Sequence, residues 1–209
     1  VGVCDLSSGE MGTYGSGTER KRELKSASDI LGLEVRVTLD LPDGCIRDND
    51  ENRMKIIEVI RRYSPGIVFG FIDKTRHPDH HHAGELVKEC SFLAGLEKLK
   101  SNFPAHRPQA LFRFPELIPW KRPDFVVDIS DFWDKKMEVL KCYQSQFTTG
   151  HVETEPPKTL LKSKELWELL EAKARMAGSM IGVKYGEPFY SSRPLRVLDP
   201  FGIAPKEFT

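Results

Sequence analysis

The sequence lacks an excess of charge of either sign. Lysine plus arginine and aspartate plus glutamate each number 31 among 209 residues, so the formal net charge is zero. Proteins that bind nucleic acid or an anionic membrane through their overall field normally carry a basic excess. We therefore expect no nucleic-acid partner, and an anionic ligand would have to be bound by individual arginines.

Long apolar runs and closely spaced cysteines are also lacking. No stretch approaches the roughly 18 consecutive apolar residues of a membrane helix, and no signal-type segment opens the chain. The four cysteines are widely spaced and include no CxxC pair, which argues against a zinc knuckle or a disulfide framework. We expect a cytoplasmic protein with no membrane partner and with free thiols. Cys4 and Cys90 lie in apolar runs, which favours their burial.

Short β-branched runs alternate with longer amphipathic stretches, which predicts an α/β fold with a doubly wound, Rossmann-like, mostly parallel sheet. At this length we expect one domain covering residues 1–209. Ser16 or Thr18 would cap the first helix, and Gly32 would end it. The predicted strands are 1–6, 33–41, 67–71, 109–115 and 125–130, the predicted helices are 19–32, 49–63, 83–99, 131–147 and 163–182, and 148–159 is a predicted surface loop.

Four of the six histidines lie within residues 77–82, directly after an apolar predicted strand. Ligands of doubly wound sheets bind beyond the carboxyl ends of the strands. Pro78 suits the first position of a helix and favours an extended backbone at His77. Asp79 would then lie in the first turn, where the helix dipole favours a carboxylate. The same dipole disfavours an imidazolium at His80 and leaves a neutral ring that can bind a metal.

The residues alone do not complete a metal site. Catalytic zinc generally has three protein ligands, and no cysteine or further histidine is clearly placed to join His77 and His80. His81 and His82 are expected to face solvent or to be structural. From spacing alone, a metal or catalytic role and a structural role for His77 and His80 both remain open.

Several motifs in order along the chain resemble those of the LmbE-like (PIG-L) zinc-dependent N-deacetylases. The His-Pro-Asp-His sequence at 77–80 resembles the second signature of that family. The similarity extends to about residue 199 and favours the branch that deacetylates N-acetylglucosaminyl L-malate in bacillithiol biosynthesis. It rests on the further segments CDLSSGEMGTYGS with Arg20 after it, ASDILGL, LDLPDG, RPDFVVDIS, YQSQF and KYGEPFYSSRPL.

The resemblance implies an LmbE-like fold and hydrolysis of an N-acetyl group by water activated on one zinc ion per subunit. It implies that His80 is a zinc ligand and that His77 faces the substrate carbonyl. Asp79 would pair with His77 or cap the helix, and these two readings remain open. The first signature of the family, Ala-His-Pro-Asp-Asp, supplies the other ligands and a general base. We expect it upstream of Val1, because the chain starts inside a predicted strand and would therefore be N-terminally truncated.

The substrate implied by the resemblance carries carboxylates, which guanidinium groups bind better than ammonium groups do. Arg20 and Arg76 are the first candidates, and Arg107 is a third that would reach a neighbouring subunit, since members of this branch form homo-oligomers. Glu10 and Asp43 lie on loops expected at the same sheet edge and would bind sugar hydroxyls, although turn chemistry explains Asp43 nearly as well. Tyr143, Gln146 and Glu187 lie in family-like motifs without an assigned role.

Two alternatives to this function remain open. One is a deacetylase of another N-acetyl sugar or glycoconjugate. The other is a non-catalytic remnant that binds sugar or only assembles with other subunits. A nucleotide-binding Rossmann protein is disfavoured, because GEMGTYGSG lacks both the dinucleotide fingerprint and the lysine of a P-loop.

Overall fold

The computed structural model describes residues 1–72, 75–117, 122–147 and 159–199. It confirms the predicted alternation of strands and helices and adds a sixth strand at the C-terminal end of this region. Most of the predicted surface loop, residues 148–158, lies outside the described residues. The elements are β1 (Gly2–Asp5), α1 (Gly17–Leu31), β2 (Val35–Thr38), α2 (Asp50–Tyr63), β3 (Ile67–Phe71), α3 (Pro78–Leu93), β4 (Ala110–Phe114), β5 (Phe125–Asp128), α4 (Trp133–Lys141), α5 (Glu165–Ser179) and β6 (Gly186–Ser191).

The six strands of the described region form two sheets. β1 pairs with β2 in parallel, and β3 pairs with β4 in parallel. The second sheet has the order β3-β4-β6-β5, in which β6 runs antiparallel to both of its neighbours. The α/β class is confirmed, but the larger sheet is mixed. The sequence analysis did not predict β6, because the glycine and proline of GEPFYS are poor strand formers and hide its alternating burial.

The ends of α1 follow local rules and match the expectation. Ser16 accepts a hydrogen bond from the backbone N–H of Glu19, and the Glu19 carboxylate accepts one from the backbone N–H of Ser16, which forms a capping box. Gly32 ends the helix in the left-handed conformation at φ 65°. No helix among the described residues is long and apolar enough to cross a membrane.

The main core lies between α2 and α3. It includes Ile57, Leu86 and Cys90, which are at most 1% exposed. Burial raises the pKa of the Cys90 thiol to about 12, so this cysteine behaves as a small apolar residue. The expectation of a buried thiol is confirmed for Cys90 and wrong for Cys4, which is exposed. Cys4 lies on β1, whose only strand partner among the described residues is β2.

A buried arginine attaches α2 to the end of α3. Arg61 is 3% exposed and donates hydrogen bonds to the backbone carbonyls of Ala94, Leu96, Leu99 and Phe103 at 2.8–3.3 Å. Ala94 is the C-cap of α3, where a cation is favoured by the helix dipole, and the other three carbonyls belong to the segment that follows the helix. The guanidinium is therefore satisfied by backbone oxygens, and it fixes the C-terminal end of α3.

The contact between α3 and β3 predicts the effect of a substitution at Gly84. A Cβ atom there would lie 2.6 Å from the Phe71 carbonyl oxygen, and this backbone atom cannot move aside cheaply. We expect Gly84→Ala to lower the free energy of unfolding by about 1–3 kcal/mol through overpacking, although alanine is the better helix former. Urea unfolding measures the change. Gly66→Ala is the matched control, since nothing lies within 4 Å of its Cβ. A Gly84→Ala protein as stable as the wild type would contradict the close packing of α3 on β3.

Candidate active site

Four loops that follow the parallel strands carry the candidate residues. Residues 6–16 follow β1, 39–46 follow β2, 72 and 75–77 follow β3 and 115–117 follow β4. Because β1 and β2 are parallel to each other, as are β3 and β4, each pair of loops leaves the carboxyl edge of its sheet. This is the edge at which doubly wound proteins bind ligands. Hydrogen bonds described below join these loops into one site.

His77 is the N-cap of α3, and its backbone is extended at φ −85° and ψ 126°, as Pro78 at the helix start predicts. Its Nδ1 atom accepts a hydrogen bond from the backbone N–H of Asp79 at 3.2 Å. A ring nitrogen that accepts carries no proton, so the proton of the neutral ring is assigned to Nε2. His77 can therefore present an N–H donor at Nε2.

His80 lies in the first turn of the same helix, and its ring centroid is 4.8 Å from that of His77. The ring stacks on Phe71 at 4.2 Å with an interplanar angle of 5°. Its buried Nδ1 atom has no hydrogen-bond partner among the described residues, and it lies 3.5 Å from a carboxylate oxygen of Glu116. Burial lowers the pKa of His80, and the charge of Glu116 partly opposes this effect. The lowered pKa agrees with the expected neutral ring, although burial is its largest cause.

Asp79 is 4% exposed, and its carboxylate binds the loop after β2. Oδ2 accepts from the backbone N–H of Gly44 at 2.6 Å, and Oδ1 accepts from that of Ile46 at 3.2 Å. The sequence analysis expected this carboxylate to pair with the His77 ring or to cap its own helix. In the structure it does neither, because its oxygens are taken by a loop more than 30 residues away in sequence, and only its backbone N–H contacts His77.

Glu116 was not predicted as a site residue. Its Oε2 accepts from the backbone N–H groups of Arg76 at 3.1 Å and of His77 at 3.4 Å, and its side chain is only 15% exposed. Its Oε1 is the oxygen that faces His80. The signal that could have identified Glu116 is its position, since it directly follows the carboxyl end of β4 after Pro115.

Glu10 and Asp43 connect the first two loops. The backbone N–H of Asp43 donates to Glu10 at 2.9 Å. The Asp43 carboxylate accepts from the Ser7 hydroxyl at 3.2 Å and from the backbone N–H of Met11 at 2.9 Å. The structure thus places both side chains at the expected edge, where they hold the loops together. Their predicted binding to sugar hydroxyls stays a prediction.

Arg20 and Arg76 lie at the same edge of the sheets but differ in their exposure to solvent and in their contacts. Arg20 is half-buried against Gly9 and Gly12, where an added Cβ would collide with its guanidinium, and it donates one long hydrogen bond to the Tyr14 carbonyl at 3.5 Å. Most of its five N–H donors therefore have no hydrogen-bond partner among residues 1–72, 75–117, 122–147 and 159–199. Arg76 is 67% exposed, and its guanidinium lies 3.7 Å from Glu116.

Arg107 lies away from this site within the chain. It precedes β4, at the opposite end of the strand from Glu116. Its guanidinium donates to the Phe92 carbonyl at 3.0 Å and lies 4.1 Å from the centre of the Phe92 ring. Phe92 is near the C-terminal end of α3, about 20 Å along the helix from Pro78. The structure does not bring Arg107 to the histidines of its own chain.

The three residues without an assigned role make structural contacts. The Tyr143 hydroxyl accepts from Arg36 at 3.3 Å, and Arg36 also binds Asp5 through two nitrogens. Gln146 donates to the Tyr14 carbonyl at 2.8 Å. Glu187 pairs with Lys136 at 2.6 Å. The Tyr143 contact supports the end of β1 through Arg36 and Asp5. The Gln146 contact supports the glycine-rich loop, residues 6–16, and the Glu187 contact connects α4 to β6.

The fit of a metal ion rests on His80. A histidine that ligates a metal usually directs its second ring nitrogen to a carboxylate or a carbonyl. The buried Nδ1 of His80, beside Glu116 and without a hydrogen bond, meets this requirement. No group of three or more histidine, cysteine, aspartate or glutamate side chains that could hold a metal is found among the described residues. His80 thus fits as one ligand of a set that these residues do not complete.

The two backbone hydrogen bonds of Asp79 predict a loss of stability on substitution. Asp79→Asn keeps the shape but replaces one acceptor oxygen by an NH₂ group that faces a backbone N–H. We expect the free energy of unfolding to fall by about 2 kcal/mol and amide hydrogen exchange at Gly44 and Ile46 to accelerate. The control is Asp48→Asn, because Asp48 forms an exposed pair with Arg53 that is worth at most about 1 kcal/mol. Unchanged exchange at Gly44 and Ile46 would show that Asp79 does not hold this loop.

Comparison with known proteins identifies the family. A family model described as PIG-L, GlcNAc-PI de-N-acetylase, matches residues 1–91. A diacetylchitobiose deacetylase of Thermococcus kodakarensis is 30% identical over 199 residues, which cover 89% of this chain and 67% of the relative. In the solved structures, the conserved protein TT1542 of Thermus thermophilus superposes with a TM-score of 0.83 at 37% identity, covering 94% of this chain and 83% of that one.

Two further relatives match a shorter part of the chain. A 4-oxalmesaconate hydratase of Pseudomonas putida is 30% identical over 61% of this chain and 50% of its own length. A probable N-acetyl-α-D-glucosaminyl L-malate deacetylase 2 of Bacillus anthracis is 29% identical over 62% of this chain and 57% of its own length. The family match and the long alignment to a deacetylase agree with the α/β architecture and the His-Pro-Asp-His loop. The chain belongs to the PIG-L family of de-N-acetylases, which are amidohydrolases.

Proposed function

We propose that the protein is a metal-dependent N-deacetylase that hydrolyses the acetamide of an N-acetylglucosamine conjugate. The observation that carries the proposal is the pair of imidazoles of His77 and His80, 4.8 Å apart at the carboxyl edge of β3. The membership in the PIG-L family and the similarity to deacetylases of N-acetylated sugars support this chemistry over that of a non-catalytic remnant. The reaction adds one water, breaks the amide C–N bond and releases acetate and a free amine.

His77 contributes a hydrogen-bond donor in this proposal. Because the backbone N–H of Asp79 donates to Nδ1, the ring proton is on Nε2 and can point at the acetamide oxygen. A fixed donor stabilises the negative charge that develops on this oxygen as water attacks the carbonyl carbon. His77 is the N-cap of α3, so the positive end of the helix dipole acts at the same place.

His80 is the proposed metal ligand of this chain, and zinc is the proposed metal at one ion per subunit. Bound zinc supplies a water of lowered pKa and polarises the carbonyl. The lowered pKa of His80 keeps its imidazole available to a cation, because a neutral ring retains a free lone pair. The further ligands that such a site needs come from outside the described residues.

The proposed substrate is N-acetylglucosaminyl L-malate, the substrate of the bacillithiol pathway. Arg20 supports this choice, since a guanidinium with spare donors at the site edge suits a carboxylate. The second candidate substrate is diacetylchitobiose, which is favoured by the 30% identity to a diacetylchitobiose deacetylase over 89% of the chain. This substrate has no carboxylate. We also propose that the protein acts as a homo-oligomer, in which the exposed Arg107 reaches the site of a neighbouring subunit.

The function is tested by acetate release from both substrates by the intact protein in the presence of zinc. We expect His77→Ala to lower kcat by about 10²- to 10⁴-fold, the usual range for loss of a catalytic acid–base or donor group. His82→Ala is the control, because His82 is a neighbour on the same helix whose one ring contact among the described residues is with His81. Acetate release that survives His77→Ala unchanged would refute the role of His77. No release from any N-acetylglucosamine conjugate by the zinc-loaded protein would refute the function.

Arg20→Gln distinguishes the two substrates. Loss of a charge-assisted contact to a carboxylate should lower kcat/KM for the malate conjugate by about 10- to 100-fold, and turnover of diacetylchitobiose should change little. Arg22→Gln is the matched control, because Arg22 is an exposed arginine two residues further along α1. Equal losses for both substrates would mean that Arg20 supports the glycine-rich loop and does not select an anionic substrate.

A further inference from the structure

Glu116 contacts the segment before α3, which contains Arg76 and His77, and also His80 in the first turn of that helix. One of its oxygens accepts from the backbone N–H groups of Arg76 and His77, and the other lies 3.5 Å from Nδ1 of His80. It belongs to the turn after β4, whereas the histidines belong to the start of α3. Neither an exposed ion pair nor a helix cap accounts for this combination, since the second oxygen faces a buried ring nitrogen.

We propose that Glu116 is a positioning residue that holds the proton of His80 on Nδ1 and thereby leaves the Nε2 lone pair free. An unprotonated Nδ1 would place its lone pair against the lone pairs of a carboxylate in a buried environment, which is unfavourable. A protonated Nδ1 turns the same contact into an attraction. The inference rests on the proposed function in taking Nε2 of His80 as the atom that faces the metal.

Stacking on Phe71 cannot perform this task alone. A stacked ring that rotates by 180° about its Cβ–Cγ bond keeps the same plane and the same contact, but Nδ1 then exchanges places with a carbon. The nearly parallel rings of His80 and Phe71 therefore fix the plane of the imidazole. A group that contacts the edge of the ring is needed to select the orientation in which Nδ1, and not the carbon, lies on the side of Glu116. Glu116 is the group that occupies this position.

Contacts within the protein fix the position of Glu116. Lys173 of α5 donates from Nζ to the carbonyl of Pro115 at 3.3 Å and to that of Glu116 at 3.5 Å. Pro115 is fully buried. The backbone of the turn is thus held by Lys173, and the Glu116 carboxylate is held by the backbone N–H groups of Arg76 and His77. A group fixed by such surrounding contacts can orient a ligand side chain without a reorganisation cost at the moment of binding.

The proposal gives the two neighbouring imidazoles opposite tautomers. His77 accepts at Nδ1 and so carries its proton on Nε2, whereas His80 carries its proton on Nδ1. The first ring then presents a donor and the second an acceptor. These are the two roles that a carbonyl-facing residue and a metal ligand require.

The experiment is a long-range ¹H–¹⁵N correlation spectrum of the histidine rings in the metal-free intact protein at about pH 8.5, where an ordinary imidazole is neutral. We expect the Nδ1–H tautomer for His80 and the Nε2–H tautomer for His77. Glu116→Gln should convert His80 to the Nε2–H tautomer, because the glutamine oxygen remains with the backbone N–H groups and its NH₂ then faces Nδ1. His77 should not change.

Glu85→Gln is the matched control. Glu85 is another partly buried carboxylate, on α3 itself, and it pairs with Lys88 and Arg113. It should leave both tautomers unchanged. A wild-type His80 with its proton on Nε2 would overturn the proposal without the use of any variant, and so would a folded Glu116→Gln protein with His80 unchanged. The spectrum needs neither metal nor substrate, so its result is independent of whether acetate is released.

Discussion

The site depends on the hydrogen bonds that the Asp79 carboxylate accepts from the backbone of Gly44 and Ile46. A buried carboxylate needs donors, and these two amides provide them from the loop that follows β2. The neighbouring residue Asp43 in turn binds the loop that follows β1, which carries Glu10 and supports Arg20. The hydrogen bonds of Asp79 and Asp43 therefore connect the start of α3, which carries the histidines, to the loop that lies beside Arg20, the proposed anion-binding arginine.

Local rules predicted those parts of the molecule that adjacent residues determine. Pro78 fixed the start of α3 and the extended backbone of His77, because both effects act within one peptide bond. The loops of Glu10, Asp43 and the histidines were predicted to lie together because each follows the carboxyl end of a strand, and this prediction requires only the direction of the strands. The partners of Asp79 and the role of Glu116 depend on residues more than 30 positions away, for which a single sequence carries no distance information. For the same reason, nothing predicted that Arg107 would lie on Phe92.

Family membership limits the chemistry but does not select the reaction. The relatives include a hydratase as well as deacetylases, so the same fold carries both the addition of water to a double bond and the hydrolysis of an amide. The choice rests on the site. His77 offers a donor and His80 an available nitrogen on one helical turn, and this arrangement suits an amide carbonyl and its attacking water. In the proposed function, Arg20 is assigned to the recognition of the substrate and not to the reaction.

Buried side chains attach α3 at both of its ends. Arg61 binds the carbonyl of the C-cap residue Ala94 and three carbonyls of the segment that follows the helix. Asp79, in the first turn, binds the backbone of Gly44 and Ile46. The helix that carries His80 and is capped by His77 is therefore held along its whole length, and the two imidazoles project from a fixed support.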